Sequence, residues 1–528
     1  MSRTSLAVLL VALLGAGLRG VAAWAAYPWP GDPAFSYCYR GLLLSHGEAS
    51  GLFLMWHYPG YPCLIAAVLW LGGGLLSPYS AGLLLSQGAS LGLVFLVDRM
   101  VRPYVELPAT RVVIASFLAL YENLVMYASG PLTEPVYLVL VYAALALALP
   151  QRVGWLRALG MGLLLGLACT IRSEGLAPGV GLLGLVGLTE AWRTPDGSRR
   201  RAASLVLAGG AGLLASSGWV LFNLDYVRYA YQAQTESFTV PPAHGLAANA
   251  ARVVECVYVA CTMWLPHTLL LPFWLLLSVG LFGALEEAGK RRVTLGLLAV
   301  VLPSLAGVTL SIMHKRTGSF LLPAAAVWVG FGVEFLLLRT PLGRGRYSAA
   351  AVVGLVMLLT VGQAGRLVRS LRAAHYPDGP AAYVQGRLLK EAAAPCGKVW
   401  AFGGEPEVYQ AWQQPVLYPF RTRAEGYQWL YRDLEGAPAA FVGRLRKAGF
   451  SYLAFAVAKD PPDQRTPYEE QDYGPFASQP LREDLLHFIQ SGSSYGLELV
   501  GRAPADRGKV EVCVYRIRQN PPRAVRGK

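Results

Sequence analysis

At 528 residues, 54% hydrophobic and only 15% charged, with a mean hydropathy of +0.40, the chain is too apolar for a soluble protein and reads as a polytopic α-helical membrane protein. Its formal net charge of +14 lies mostly in short basic loops between apolar runs, which is a membrane topology signal and argues against a nucleic-acid partner. Seven cysteines without a CxxC pair, and no histidine at metal spacing, argue against a structural zinc module.

The run from Leu6 to Ala26 is long enough to span a bilayer at about 20 residues. It reads as a retained first helix, with cleavage after Ala26 as the alternative. Next comes Trp29-Pro30-Gly31-Asp32-Pro33-Ala34-Phe35-Ser36-Tyr37, read as a loop of aromatic and turn residues around one carboxylate. A carboxylate at the lip of a span is costly unless it is hydrated or functional, so Asp32 is singled out.

Basic clusters then set the topology. Arg99, Arg102 and Arg111 form the first, and Arg152 with Arg157 the second. Arg193 with Arg199-Arg200-Arg201, then Lys290-Arg291-Arg292, then Arg339 with Arg344 and Arg346 complete the set. All belong on the cytoplasmic side, so the apolar runs between them pair out and back. The expected spans are 6–26, 80–97, 111–128, 135–150, 156–171, 175–191, 203–222, 265–284, 293–312, 320–338 and 347–365. That gives about eleven transmembrane helices with the N-terminus inside. Tyr58–Leu76, with prolines at one end and Gly72-Gly73-Gly74 at the other, reads as an interfacial helix on the outer face.

Residues 1–365 therefore form a transmembrane module, and 366–528 a soluble α/β domain on the outer face. In that domain Gly397–Gly403 and Ser451–Val457 read as strands, and Glu405–Gln414 and Phe441–Gly449 as helices. Leu497–Arg502 pairs with Val510–Ile517 in a hairpin, and Asp460–Tyr473 is a surface loop. Cys396 and Cys513 sit at strand ends in an oxidising compartment, where either a disulfide or two buried thiols would fit.

Several residues break the membrane rules on the outer side. His314-Lys315-Arg316 precedes a span where cations should be scarce, and the pair Lys315 and Arg316 suits a phosphate, with anchoring to lipid headgroups as the alternative. Glu134 in Thr133-Glu134-Pro135 is either a helix-start charge or a carboxylate lining a site. Arg172 and Glu174 lie close enough in sequence to pair. His57, in His57-Tyr58-Pro59-Gly60-Tyr61-Pro62, has no second histidine nearby to make a metal site. Trp29, Phe35, Tyr37, Tyr39, Trp56 and Tyr58 would suit a sugar platform or an interfacial aromatic belt equally.

In this order the features resemble the GT-C glycosyltransferases, polytopic enzymes that use polyprenyl- or dolichyl-phosphate sugars. The nearest resemblance is to the branch holding the protein O-mannosyltransferases and the lipid A aminoarabinose transferase. The matching residues are Asp32 in the first outer loop, His57–Pro62, Thr133-Glu134-Pro135, Arg172-Ser173-Glu174, and Arg316 ahead of Phe320-Leu321-Leu322-Pro323. Gly60 stands where proline is usual, Thr133 where serine is common, and Arg316 lies some residues ahead of Phe320.

The resemblance implies inverting transfer of a sugar from a polyprenyl-phosphate donor to a lipid, protein or glycan hydroxyl at the outer face of the cytoplasmic membrane. Asp32 would be the general base. Lys315, Arg316 and Arg172 would bind the donor phosphate, and His57, Tyr37, Tyr58, Glu134, Glu174 and His314 would line the site. No cofactor is required; a divalent metal near Glu134 or His57 is compatible but not indicated. The competing readings are an oligosaccharide-transferring or glycan-polymerising relative and, in different classes, a non-catalytic scaffold protein and a transporter, although no internal repeat supports the last.

Overall fold

The computed structural model of the protein describes residues 2–26, 32–52, 58–73, 75–150, 152–192, 198–223, 271–311, 319–339, 348–374, 381–392, 398–401, 438–447, 449–458, 492–505, 508 and 510–519. Its helices begin with α1 (Arg3–Ala26), α2 (Asp32–Ser45), α3 (Gly60–Leu71), α4 (Pro78–Val101) and α5 (Pro108–Leu120). They continue with α6 (Glu122–Ala128), α7 (Glu134–Ala148), α8 (Trp155–Ile171), α9 (Leu176–Ala191), α10 (Ser198–Ser216) and α11 (Gly218–Phe222). Then follow α12 (Leu271–Glu286), α13 (Ala288–Ser311), α14 (Leu321–Arg339) and α15 (Ser348–Ala374).

A helix, or a pair of helices in series, falls on each expected span. Among the described residues α1, α4 and α14 are each long and apolar enough to cross a membrane alone. The pair α5 and α6, bent by 50°, makes a fourth if taken as one span. Large apolar side chains stay exposed along these helices, such as Leu10, Leu84, Leu207, Phe282 and Leu358. Water would penalise such a surface and lipid does not. With 12 residues, α3 is about 18 Å long, well short of a bilayer core of about 30 Å. Asp32 is not in a loop: it opens α2. Pro33 follows it at the first turn, where a missing N–H costs nothing.

The chain divides into two compact units. The first comprises 1–25, 55–64 and 80–372; the second comprises 26–54, 65–79 and 373–528. The second unit thus takes in segments from early in the chain as well as the C-terminal residues.

Within the first unit, helices meet at glycines. A Cβ on Gly162 of α8 would overlap the carbonyl of Gly209 in α10, and one on Gly166 would overlap Ser216. Gly280 of α12 lies in the same way against Trp328 of α14, and Gly181 of α9 against Ala299 of α13. Small residues let backbones touch, which supplies the packing that holds helices together in lipid.

Several buried charged groups in this unit are held by specific partners. Arg19 of α1 is 0% exposed. It donates through Nε to Ser90 Oγ at 3.0 Å, through one terminal nitrogen to the Leu118 carbonyl at 3.0 Å, and through the other to the Ala119 carbonyl. Those carbonyls belong to the last turn of α5, which ends where Tyr121 adopts an extended backbone. The bend leaves them without helical donors, and Arg19 replaces those donors. Near the basic clusters Glu334 of α14, 0% exposed, accepts from Lys290 at 2.7 Å and Thr110 at 2.6 Å. It also accepts from the backbone N–H groups of Glu106 and Leu107, both at 3.3 Å. Asp98 and Arg111 form a two-bonded pair at 2.8 and 2.7 Å.

The second unit contains α16 (Ala381–Glu391), α17 (Pro438–Lys447) and four strands: β1 (Lys398–Ala401), β2 (Phe450–Ala458), β3 (Leu497–Ala505) and β4 (Val510–Ile517). The sheet order is β1-β2-β4-β3. β1 runs parallel to β2, the other pairs are antiparallel, and Leu497 faces Ile517 in the hairpin as expected. Alternation along the strands splits the core. Tyr452, Ala454, Val510, Val512 and Val514 pack with α16 and with Tyr39 and Leu43 of α2. Leu453, Phe455, Cys513, Tyr515 and Ile517 pack with Phe441, Val442 and Leu445 of α17.

Cys513 is a free buried thiol, and burial pushes its pKa up to about 12. Of the two readings left open for it, the buried thiol holds. Cys396, Glu405–Gln414 and Asp460–Tyr473 lie outside the described residues.

Two substitutions test the packing of the first unit. Gly162→Val must push α8 and α10 apart and should destabilise by about 1–3 kcal/mol or more, whereas Gly17→Ala, with nothing within 4 Å of its added Cβ, should not. Arg19→Leu removes the donors to two buried carbonyls and should cost about 1–3 kcal/mol for each group left unpaired. Thermal unfolding of the detergent-solubilised chain reads both.

Candidate functional site

The site forms where α7 begins and α8 ends. Pro135 supplies a preset φ in the first turn of α7, and Glu134 is that helix's first residue. At the end of α8, Arg172 leaves the helix in an extended conformation (φ −146°, ψ 136°) while its N–H still bonds to the Ala168 carbonyl at 2.9 Å. A single 3-10 turn, Ser173–Gly175, then folds the chain back before α9. A Cβ on Gly175 would stand 2.7 Å from the Cys169 nitrogen, so only glycine permits so close a return.

This backbone brings three charges together. One terminal nitrogen of Arg172 donates to Glu134 Oε1 at 2.9 Å and to Thr133 Oγ1 at 3.2 Å. The other donates to Glu174 Oε1 at 2.9 Å. The guanidinium also lies 6.0 Å from the centre of the Tyr137 ring, a cation–π distance. Glu134 is the acidic residue in the first turn of α7, where a helix-start charge belongs, and its carboxylate also pairs with Arg172. The pairing expected between Arg172 and Glu174 is present. Glu134 is 1% exposed, and its second oxygen, Oε2, is buried with no hydrogen-bond partner among the described residues.

A second layer fixes this geometry. The N–H of Leu132, two residues before Glu134, donates to Ser86 Oγ at 3.0 Å, and the Ser86 hydroxyl lies 2.8 Å from the Leu132 carbonyl. Ser86 in turn bonds to the Tyr61 hydroxyl at 2.7 Å, and Tyr61 also donates to the Gly82 carbonyl at 2.8 Å. Beside Tyr61, a Cβ on Gly60 would come within 2.5–2.7 Å of Thr170, mostly of its backbone. The glycine found where proline was expected is therefore the residue that lets α3 lie against the end of α8. Tyr58 is buried, with its ring edge-on to Trp219 at 6.5 Å.

The structure thus gathers Glu134, Arg172, Glu174 and the Tyr58–Tyr61 segment in the first unit. Tyr142, two turns along α7 from Glu134, donates to the Phe320 carbonyl at 2.9 Å and anchors the residue that ends the segment bearing Lys315 and Arg316. Tyr37 is buried on α2, in the second unit. His57, His314, Lys315, Arg316 and the side chain of Asp32 lie outside the described residues. Among the described residues no group of three or more His, Cys, Asp and Glu is placed to hold a metal ion. Sequence reasoning passed over Thr133 as a ligand of Arg172 and over Tyr61 and Ser86 as its scaffold. It also passed over Arg40, fully buried on α2. A lone Arg in an aromatic stretch was the available signal for the last; hydroxyls in apolar helices give almost none.

The pair is open to a direct test. Glu134→Gln leaves Arg172 short of one buried partner and should destabilise by about 3–5 kcal/mol. The double variant E134Q/R172Q should lose less than the sum of the single changes, as measured by thermal unfolding. Gly60→Ala should cost about 1–3 kcal/mol through overlap with Thr170.

No protein-family model matches the sequence. No curated protein matches it either. The three-dimensional structure is similar to that of ArnT from Cupriavidus metallidurans bound to undecaprenyl phosphate, with a TM-score of 0.59 and 13% identity over 99% of this chain and 100% of that one. The archaeal oligosaccharyltransferase AglB from Archaeoglobus fulgidus, in complex with an inhibitory peptide and a dolichol-phosphate, is also similar, with a TM-score of 0.54 and 12% identity over 94% of this chain and 72% of that one. So is the arabinofuranosyltransferase AftD from Mycobacteria, with a TM-score of 0.53 and 16% identity over 99% of this chain and 42% of that one. The chain has the fold of the GT-C superfamily glycosyltransferases.

Proposed function

We propose that this protein is a membrane glycosyltransferase that moves a sugar from a polyprenyl-phosphate donor to an acceptor hydroxyl. The observation that carries the reading is the likeness of almost the whole chain, 99% of it, to a structure holding undecaprenyl phosphate. The buried Arg172 centre supports it, because a charged cluster among apolar helices is expensive unless it works on a substrate. Transfer takes place at the outer face of the cytoplasmic membrane.

The acceptor oxygen attacks the anomeric carbon of the donor, its proton passes to the Asp32 carboxylate, and the bond from that carbon to the phosphate oxygen breaks. The bonding pair leaves with the polyprenyl phosphate. One displacement inverts the anomeric centre, and a single carboxylate base suits it better than the close carboxylate pair of a retaining enzyme. General base catalysis of this kind contributes about 10²–10⁴-fold.

The leaving phosphate gathers negative charge, which fixed cations in a dry site stabilise well. In this reading Lys315 and Arg316 supply that charge together with Arg172, which is already shared between Glu134 and Glu174. Glu134 and Glu174 line the site, together with His57, His314, Tyr37 and Tyr58.

Asp32→Asn should lower turnover by about 10²-fold or more while leaving membrane insertion and thermal stability unchanged. Turnover is read by mass spectrometry of the glycolipids and glycoproteins made with and without the protein. A product heavier by one sugar residue supports single-sugar transfer, and a longer increment supports the oligosaccharide-transferring relative. Flux of a solute across sealed vesicles with no covalent product would overturn the enzyme reading in favour of a transporter.

A further inference from the structure

We propose that the α/β unit positions the catalytic helix: α2, which begins at Asp32, is held by α16 and the sheet, and Tyr39 and Leu43 are its positioning residues. The proposal rests on the reading of Asp32 as general base. Two observations carry it.

The first is the division of the chain, which groups residues 26–54 with 373–528 and apart from the bulk of the membrane helices. The second is the core. Tyr39 and Leu43, one helical turn apart on α2, are buried in one cluster with Val384 and Leu388 of α16 and with Tyr452, Val512 and Val514 of the sheet. Arg40 between them is fully buried and donates to the Leu52 carbonyl at 3.1 Å, tying the chain after α2 back to the helix.

A general base works only within hydrogen-bond reach of its proton, and a misplacement of about 1 Å can cost about 10²-fold in rate. The packing of Tyr39 and Leu43 therefore sets turnover although neither side chain takes part in the reaction. This explains why the α/β unit shares a core with an early segment of the chain instead of closing on itself.

The test compares the two faces of the sheet in the full chain. Leu43→Ala and Val512→Ala loosen the face that holds α2; Leu453→Ala loosens the opposite face, against α17. Four readouts are taken: formation of the covalent product found by the mass comparison, affinity for undecaprenyl phosphate, thermal stability, and deuterium exchange of the α2 amides. Leu43→Ala and Val512→Ala should each lower turnover tenfold or more, leave undecaprenyl phosphate affinity within twofold, and speed α2 exchange. Leu43→Met should restore most of the rate. Leu453→Ala, at a similar loss of stability, should leave turnover within twofold. Equal losses of turnover on both faces, or unchanged α2 exchange in Leu43→Ala, overturn the proposal. If Asp32→Asn retains wild-type turnover, the base reading fails instead, and α2 exchange in Leu43→Ala against Leu453→Ala still upholds or overturns the packing claim.

Discussion

One guanidinium shared between two carboxylates governs the architecture around it. Removing Glu134 and Arg172 from water costs several kcal/mol per ion, and only tight geometry between them returns that energy. Such geometry needs a backbone that cannot drift. The chain supplies it by packing Gly60 against Thr170, by folding Gly175 back onto Cys169, and by clamping Leu132 on Ser86. Each of these contacts lies within a few residues of a charged partner. The small residues and hydroxyls around the site are thus consequences of the ion pair rather than independent features.

Two buried carboxylates in the same unit differ in how completely the described residues engage them. Glu334 has both oxygens engaged, by an ammonium, a hydroxyl and two backbone N–H groups, and it joins α14 to α13, α5 and the chain before α5. Glu134 is just as deeply buried, yet among the described residues Oε2 has no partner. Leaving a buried acceptor unpaired is unfavourable, and native proteins rarely tolerate it without a functional reason. The same contrast explains Arg19. It is buried without a carboxylate, but the carbonyls freed by the bend at Tyr121 give it acceptors enough to be structural.

The helical plan was legible because two coarse signals agree: apolar runs of membrane length, and cations concentrated in alternate loops. The sheet was legible from short runs of β-branched and aromatic residues such as Val510–Ile517, which is buried on both faces in its middle. Breaks were not. Tyr121 ends α5 with neither proline nor glycine at hand, and only Glu122 and Asn123 inside an apolar run hinted at it. The helical start at Asp32 was present as an Asp-Pro pair, a helix-start signal hidden by the turn residues before it. Partners distant in sequence, such as Arg172 with Glu134 or Gly60 with Thr170, lie beyond any local pattern. Charge and glycine identify the participants; only the fold pairs them.

The placement of α2 follows from its length. A helix of 14 residues is marginal alone in water, and its apolar side chains have to be buried against something else. A helix this short needs a partner with a core of its own. The sheet face lined by Val510, Val512 and Val514 offers one, and Tyr39 and Leu43 complete it. Loops that carry reacting groups are usually held by a rigid scaffold. Here the scaffold lies more than three hundred residues away in sequence, so an early segment and a late domain depend on each other to fold, and neither can be assigned a role alone.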